Sequence, residues 1–147
     1  DKVWKGYTRH EGKNGGWYDL CKNPPDDWEG GEHPGKPIID FLVENGYKIK
    51  VLPDIQNIPE KYHIKWSNPD ILINGFLADI KTVESSIVSR LKSAKNQHVS
   101  HVVLKVPDTF TEDDIDAGFQ KFKKDYHTYM DILYIYKNQI FHKIIQA

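Results

Sequence analysis

The run Ile71-Leu-Ile73-Asn74-Gly75-Phe76-Leu-Ala-Asp79-Ile80-Lys81 constrains this chain more than any other stretch. Asn-Gly between two short apolar runs is the dipeptide best suited to a two-residue type I′ turn, because both central positions must take positive φ. The spacing therefore predicts a β-hairpin. Side chains two apart along a strand share a face, so Asp79 and Lys81 project together with apolar Ile80 opposite. A carboxylate and an ammonium thus leave one side of an otherwise oily strand. Asp70 opens the neighbouring strand, and its reach into the same pocket depends on register and twist.

The pattern extends on both sides of the hairpin. Ile38, Ile39, Leu42 and Val43 form a helical stripe with Pro37 in the first turn and Gly46 as the C-terminal cap, which predicts a helix over 35–45. Tyr47 to Leu52 alternates as a half-buried strand ending at Pro53, and a polar loop follows to Asn68. Beyond Thr82, a candidate cap, Ile87, Val88, Leu91, Ala94 and Lys95 recur at helical spacing and predict a helix over 85–97. Val102 to Leu104 reads as a buried strand. Thr111-Glu-Asp-Asp114 is a capping box leading a helix through Ile115, Phe119, Phe122 and Tyr126. Ile132 to Tyr136 and Ile140 to Ile145 flank Lys-Asn-Gln as a last hairpin. Residues 1–34, rich in Gly and Pro, show no period and read as an irregular extension pinned by Trp4, Trp17, Tyr18 and Trp28. The expectation is one domain over residues 1–147, its α/β core spanning 35–147: a single mixed sheet flanked by helices in the order α-β-β-β-α-β-α-β-β.

Composition narrows the function classes. A chain of 147 residues, 39% hydrophobic, can bury one real core. Cys21 is the single cysteine, and no Cys/His cluster has zinc-finger spacing, so packing must hold the fold and a reducing cytosol suits it. No run approaches the roughly 20 apolar residues that span a bilayer. The net charge of -1 argues against a generic nucleic-acid coat. Charge is uneven, however: Lys81, Arg90, Lys92, Lys95 and Lys105 face only Glu84 between residues 81 and 105, whereas acids crowd Glu112 to Asp116.

Two carboxylates and a lysine are what metal-assisted phosphodiester hydrolysis requires. Asp70 and Asp79 would hold Mg²⁺ or Mn²⁺, while Lys81 orients the water and balances developing charge. Glu32 and His33, just before the first helix, are candidates for a further ligand or an acid/base pair. Thr82, Ser85, Ser86 and Ser89, with Arg90, Lys92 and Lys95, are candidate phosphate contacts at a helix start, with Gln97 ending that helix. The competing reading makes Asp79 and Lys81 a surface salt bridge and the Ser/Lys face plain solvated helix. His98 and His101 are further candidates beside structural roles. Tyr126, His127, Tyr129, Tyr134 and Tyr136 suit either base stacking or the core.

Asn68-Pro-Asp70…Asp79-Ile-Lys81 resembles the PD-(D/E)XK nuclease motif, and the order helix, three strands, helix, strand over about 35–106 is similar to that superfamily's core. That pattern expects an acid on the first helix; Glu32 precedes it, with Asp40 and Glu44 as rivals. Glu32-His-Pro-Gly, Asn45-Gly-Tyr, Asn68-Pro-Asp-Ile-Leu-Ile-Asn-Gly and Val102-Val-Leu104 also resemble the C-terminal toxin domains of contact-dependent growth inhibition and related polymorphic toxin systems, several of which are transfer-RNA nucleases. The resemblance implies an endonuclease delivered as part of a larger toxin, acting in the target-cell cytoplasm on RNA, first of all tRNA, or alternatively on DNA, and blocked by a cognate immunity protein. Some such toxins have the barnase, EndoU, colicin and RelE type of fold, which cuts RNA without metal. There Lys81 would stabilise the phosphorane, and His33, His98 or His101 would act as base or acid. A binding module without activity is the remaining alternative.

Overall fold

A computed structural model describes residues 5–53 and 69–147, in two compact units divided after Leu77. Most of the expected polar loop before Asn68, and Trp4, lie outside the described residues.

The first unit contains β1 (Thr8–Glu11), β2 (Trp17–Leu20), α1 (Lys36–Glu44), β3 (Lys48–Val51) and β4 (Ile71–Ile73). Its strands run in the order β1-β2-β3-β4, paired antiparallel, parallel and antiparallel. Helix α1 carries Pro in its first turn and buries Ile38, Ile39, Leu42 and Val43, the stripe read from sequence. Ile49, Val51, Ile71 and Ile73 supply buried strand residues.

Strands β1 and β2 correct the reading of residues 1–34 as irregular. All four residues of β1 are exposed, so no apolar alternation marks it. An ionic ladder marks it instead. Arg9 lies opposite Asp19 across β1–β2, and Asp19 opposite Lys50 across β2–β3. Arg9 donates to both Asp19 oxygens at 2.8 and 3.0 Å, Lys50 donates to Oδ2 at 2.7 Å, and the Arg9 guanidinium stacks 3.7 Å over the Trp17 ring. Trp28 and Tyr18 are buried against one another, so these aromatics pack as a satellite core. Gly16 is required by close approach: a Cβ there would lie 2.1 Å from the Val43 carbonyl oxygen, at the end of α1.

The second unit takes in most of β5 (Phe76–Thr82), then α2 (Ile87–Asn96), β6 (His101–Lys105), α3 (Glu112–Tyr126), β7 (Met130–Tyr136) and β8 (Gln139–Ile145). The order is β5-β6-β7-β8, with two parallel pairings followed by an antiparallel hairpin. Parallel neighbours need crossovers, and α2 and α3 supply them. One core cluster joins Leu91 and Ala94 of α2 and Ile115, Phe119 and Phe122 of α3 to Val102, Leu104, Met130 and Ile132. Both helices therefore cover one face of this sheet. Gly118 lets them approach closely, since a Cβ there would stand 3.0 Å from Cβ of Ile87.

Each unit is thus α/β with a mixed sheet, and the nine elements expected from residue 35 onward occur in the expected order. Asn74 and Gly75 have φ of 47° and 89°, the signs a type I′ turn demands. Lys137 and Asn138, with φ of 50° and 59°, make the β7–β8 connection shorter than the three residues read from sequence. Thr111 and Asp114 form the capping box of α3. Thr82 is not a cap: it ends β5, and the Ser86 hydroxyl accepts from the Ser89 N–H at 3.1 Å to start α2. Among the described residues no helix is long and apolar enough to cross a membrane.

Candidate functional site

Strand β5 positions the central pair. Asp79 lies opposite Val102 and Lys81 opposite Leu104, and both partners belong to the cluster under α2 and α3. Residues in register across neighbouring strands share a face, so Asp79 and Lys81 project toward the helices, as their spacing predicts. Asp79 is 2% exposed, one of two buried charged or polar residues among those described. Its Oδ2 lies 3.7 Å from Lys81 Nζ, an ion-pair distance longer than a hydrogen bond.

The ammonium is held from the other side by α2. Lys81 Nζ donates to Ser93 Oγ and to Gln97 Oε1, each at 3.3 Å. Ser93 and Gln97 are four apart, one turn of helix, and so stand on one face above the lysine. A lysine has three N–H donors. Two are directed at neutral acceptors and the charge faces a buried carboxylate, so Lys81 is aimed rather than free to sweep solvent. Its side chain is 14% exposed. A positive group fixed in this way is suited to stabilising a developing oxyanion.

The sequence candidates divide between the units. Asp79, Lys81 and Gln97 come together in the second. Ser93 joins them and was not foreseen, although its i,i−4 relation to Gln97 is legible once α2 is placed. Thr82 ends β5, Arg90 is half-buried on α2, and Lys92 is exposed there. Ser85 lines a groove of about 410 Å³ between α2 and α3 with Asp114 and Lys121. Asp70, whose carbonyl accepts from Leu52 N–H at 3.0 Å, belongs to the first unit. Glu32 and His33 are also there, exposed, immediately before α1. Of the two rivals to Glu32, Asp40 is tied to Lys36 at 2.9 Å within α1, and Glu44 is exposed at its end.

The histidines of the second unit do not join Lys81. His98 is exposed with φ of 59°, just past the end of α2. His101 precedes Val102 on β6, so alternation puts it on the face opposite Lys81. There its Nε2 lies 3.7 Å from Asp131, whose other oxygen is 2.6 Å from His142 Nε2. The aromatics mostly pack: Tyr126 lies against Phe122, Tyr134 against Phe119 and Phe141, and the buried Tyr136 donates to the Phe110 carbonyl.

No curated protein and no solved structure matches this chain. A family model described as the contact-dependent growth inhibition CdiA C-terminal domain matches residues 67–141, from the strand pair around Asn74-Gly75 through α2, β6 and α3 into β8. The match spans the aimed lysine, its buried carboxylate, and Ser93 of α2 and the C-cap residue Gln97 that hold it, and it covers half of the sequence. The chain therefore belongs to the CdiA C-terminal domain family of contact-dependent growth inhibition toxins.

Proposed function

We propose that this toxin domain is an endonuclease that hydrolyses phosphodiester bonds in RNA, with tRNA as the first substrate to test. The observation that carries the reading is Lys81, held by Ser93 and Gln97 and facing the buried Asp79 at 3.7 Å. Phosphodiester hydrolysis adds a water oxygen to phosphorus and breaks a P–O bond to the leaving ribose oxygen, with negative charge growing on the phosphoryl oxygens. Lys81 offsets that charge and orients the water.

In the PD-(D/E)XK reading a divalent cation, Mg²⁺ or Mn²⁺, would supply Lewis acidity and a more acidic water. Asp79 fits as a ligand in kind: it is a hard oxygen donor, buried beside a cation it already neutralises. Asp70 is the motif's second carboxylate, and Glu32 and His33 are the candidate further ligand or acid/base pair. Arg90, Lys92, Thr82 and Ser85 are the candidate contacts to substrate phosphates. RNA is favoured over DNA by the resemblance to toxin domains that cut tRNA. The reading further places the toxin's action in the target-cell cytoplasm, with a cognate immunity protein as its inhibitor.

The test is incubation of the purified domain with tRNA and with plasmid DNA, each with Mg²⁺, Mn²⁺ or EDTA. Asp79→Asn, Lys81→Met and Asp70→Asn are assayed alongside. Cleavage of tRNA by the parent, lost in the Lys81 and Asp79 variants, is the expected result. Cleavage of plasmid alone transfers the assignment to a DNA endonuclease, and survival in EDTA removes the metal from the mechanism. No cleavage of either substrate under any condition overturns the nuclease reading in favour of a binding module.

A further inference from the structure

In the acidic run at the start of α3, Asp114 closes the capping box and the first-turn acids complement the helix N-terminus, while carboxylates repel a nucleic-acid backbone. Within the second unit the run closes a cavity of about 220 Å³. Glu112, Ile115 and Asp116 line it from α3, Tyr134 and Tyr136 from β7, and Phe141 from β8. The walls are aromatic and ordered. Tyr134 and Phe141 stack with ring centroids 5.1 Å apart and planes 18° from parallel, Phe119 braces Tyr134 at 5.3 Å, and the Tyr136 hydroxyl is tied to the Phe110 carbonyl. Glu112 and Asp116 stand one helical turn apart at the rim, both exposed. Their charges reach into the cavity: together with burial, the leading cause, they push the Tyr134 phenol above its usual range.

Lys137 Nζ already stands 5.2 Å over the Tyr136 ring, so the rings left for a further cation are Tyr134 and Phe141, whose electron-rich faces complement an organic cation beside the two rim carboxylates. The size selects among cations. Pockets for drug-sized ligands run from about 300 Å³ upward, and this cavity is smaller, matching a single side chain. A planar guanidinium stacks on rings and pairs with carboxylates more favourably than a compact, strongly hydrated ammonium, and arginine is over-represented at the anchoring points of protein interfaces. We propose that this cavity receives the guanidinium of an arginine presented by a protein partner docking over the start of α3 and the β7–β8 hairpin. The proposal does not depend on the nuclease reading, because it concerns a surface that phosphate avoids.

The test uses the full chain, isotopically labelled, with resonances of Tyr134, Phe141 and Asp116 followed by NMR. The probes are N-acetyl-arginine amide, its neutral isostere N-acetyl-citrulline amide, and spermidine. The arginine derivative is expected to shift these resonances saturably, with a Kd on the order of 1 mM, while citrulline does not. Glu112→Gln with Asp116→Asn, both exposed and outside the α3 capping box, is expected to stay folded with a Tm lowered by only a few degrees, Glu112 being a first-turn acid, and to weaken the arginine derivative about tenfold. Equal shifts from citrulline would reduce the cavity to an apolar cleft and overturn the proposal. So would spermidine binding without arginine binding, which would assign a free polyamine, or no saturable shift from any probe.

Discussion

Lys81→Met perturbs the site most directly, because methionine keeps the length and apolar stem of lysine while removing its charge. The ion pair it breaks spans 3.7 Å, with the two side chains 14% and 3% exposed. At an effective dielectric constant of about 20 the attraction amounts to about 4.5 kcal/mol. Drawing each ion out of water costs several kcal/mol, so the pair as a whole contributes little net stability. Removing one member is a different matter, since the carboxylate of Asp79 then stays buried without the Lys81 charge, at a cost of up to about 3–5 kcal/mol. Urea unfolding at neutral pH should therefore show a lowered midpoint at unchanged slope for Lys81→Met. Asp79→Asn should be destabilised as well, and the double variant should recover about 2 kcal/mol or more relative to the sum of the singles. An unfolding free energy of Lys81→Met within about 0.5 kcal/mol of the parent, with additive behaviour in the double variant, would refute the argument. It would return the pair to the class of exposed salt bridges, which are worth about 0–1 kcal/mol.

Three further outcomes follow from other contacts. Ser93→Ala and Gln97→Leu should each lower tRNA cleavage about tenfold while leaving the urea midpoint near the parent's, since they release the aim of Lys81 without unburying a charge; equal rates would show that the lysine needs no positioning. Asp19 is held at a pKa of about 2, below its ordinary 3.8, first by the Arg9 hydrogen bond and then by Lys50. A depressed carboxylate stabilises the fold above pH 3.8 and loses that contribution as pH falls toward 2, about 2 kcal/mol in all before screening at the half-exposed Arg9; Asp19→Asn should flatten the acid limb of a stability profile over that window. Gly16→Ala should cost about 1–3 kcal/mol by thermal melting, because its Cβ meets a backbone carbonyl rather than a yielding side chain.

The second unit was legible because its rules are local. Asn74-Gly75 specifies its turn through φ, Thr111 and Asp114 cap α3 reciprocally, and apolar spacing in α2 and α3 names the residues that bury. The first two strands were hidden because β1 is held by charge rather than by apolar alternation. Arg9, Asp19 and Lys50 sit far apart in sequence, and nothing in any one of them announces that they form a row across three strands. The site followed the same division. Period two put Asp79 and Lys81 on one face, but choosing between an exposed salt bridge and a buried, aimed lysine required knowing that this face lies under α2. Ser93 was missed for that reason. A serine in a helix rich in serine and lysine carries no mark until the strand beneath it is placed. His101 failed as a partner of Lys81 by the parity that joins Asp79 to Lys81, because Val102 is the residue in register with Asp79.

Strand order also separates charges that nearly cancel in the sequence, 20 basic against 21 acidic residues. Lys81, Arg90, Lys92 and Lys95 gather on β5 and α2, at one end of the order β5-β6-β7-β8, while Glu112 and Asp116 edge a cavity against β7 and β8 at the other. Lys95 stands 5.8 Å over the ring of Tyr126 at the C-terminal end of α3, the end away from Glu112 and Asp116. Opposite charges summed over the whole chain cancel, yet a substrate meets only the face it approaches, within about 8–10 Å at physiological salt. A net charge near zero therefore leaves room for a locally basic face. On the two proposals above, a polyanion would meet the α2 side and a cationic side chain the acidic start of α3, and adding salt should weaken both without exchanging them.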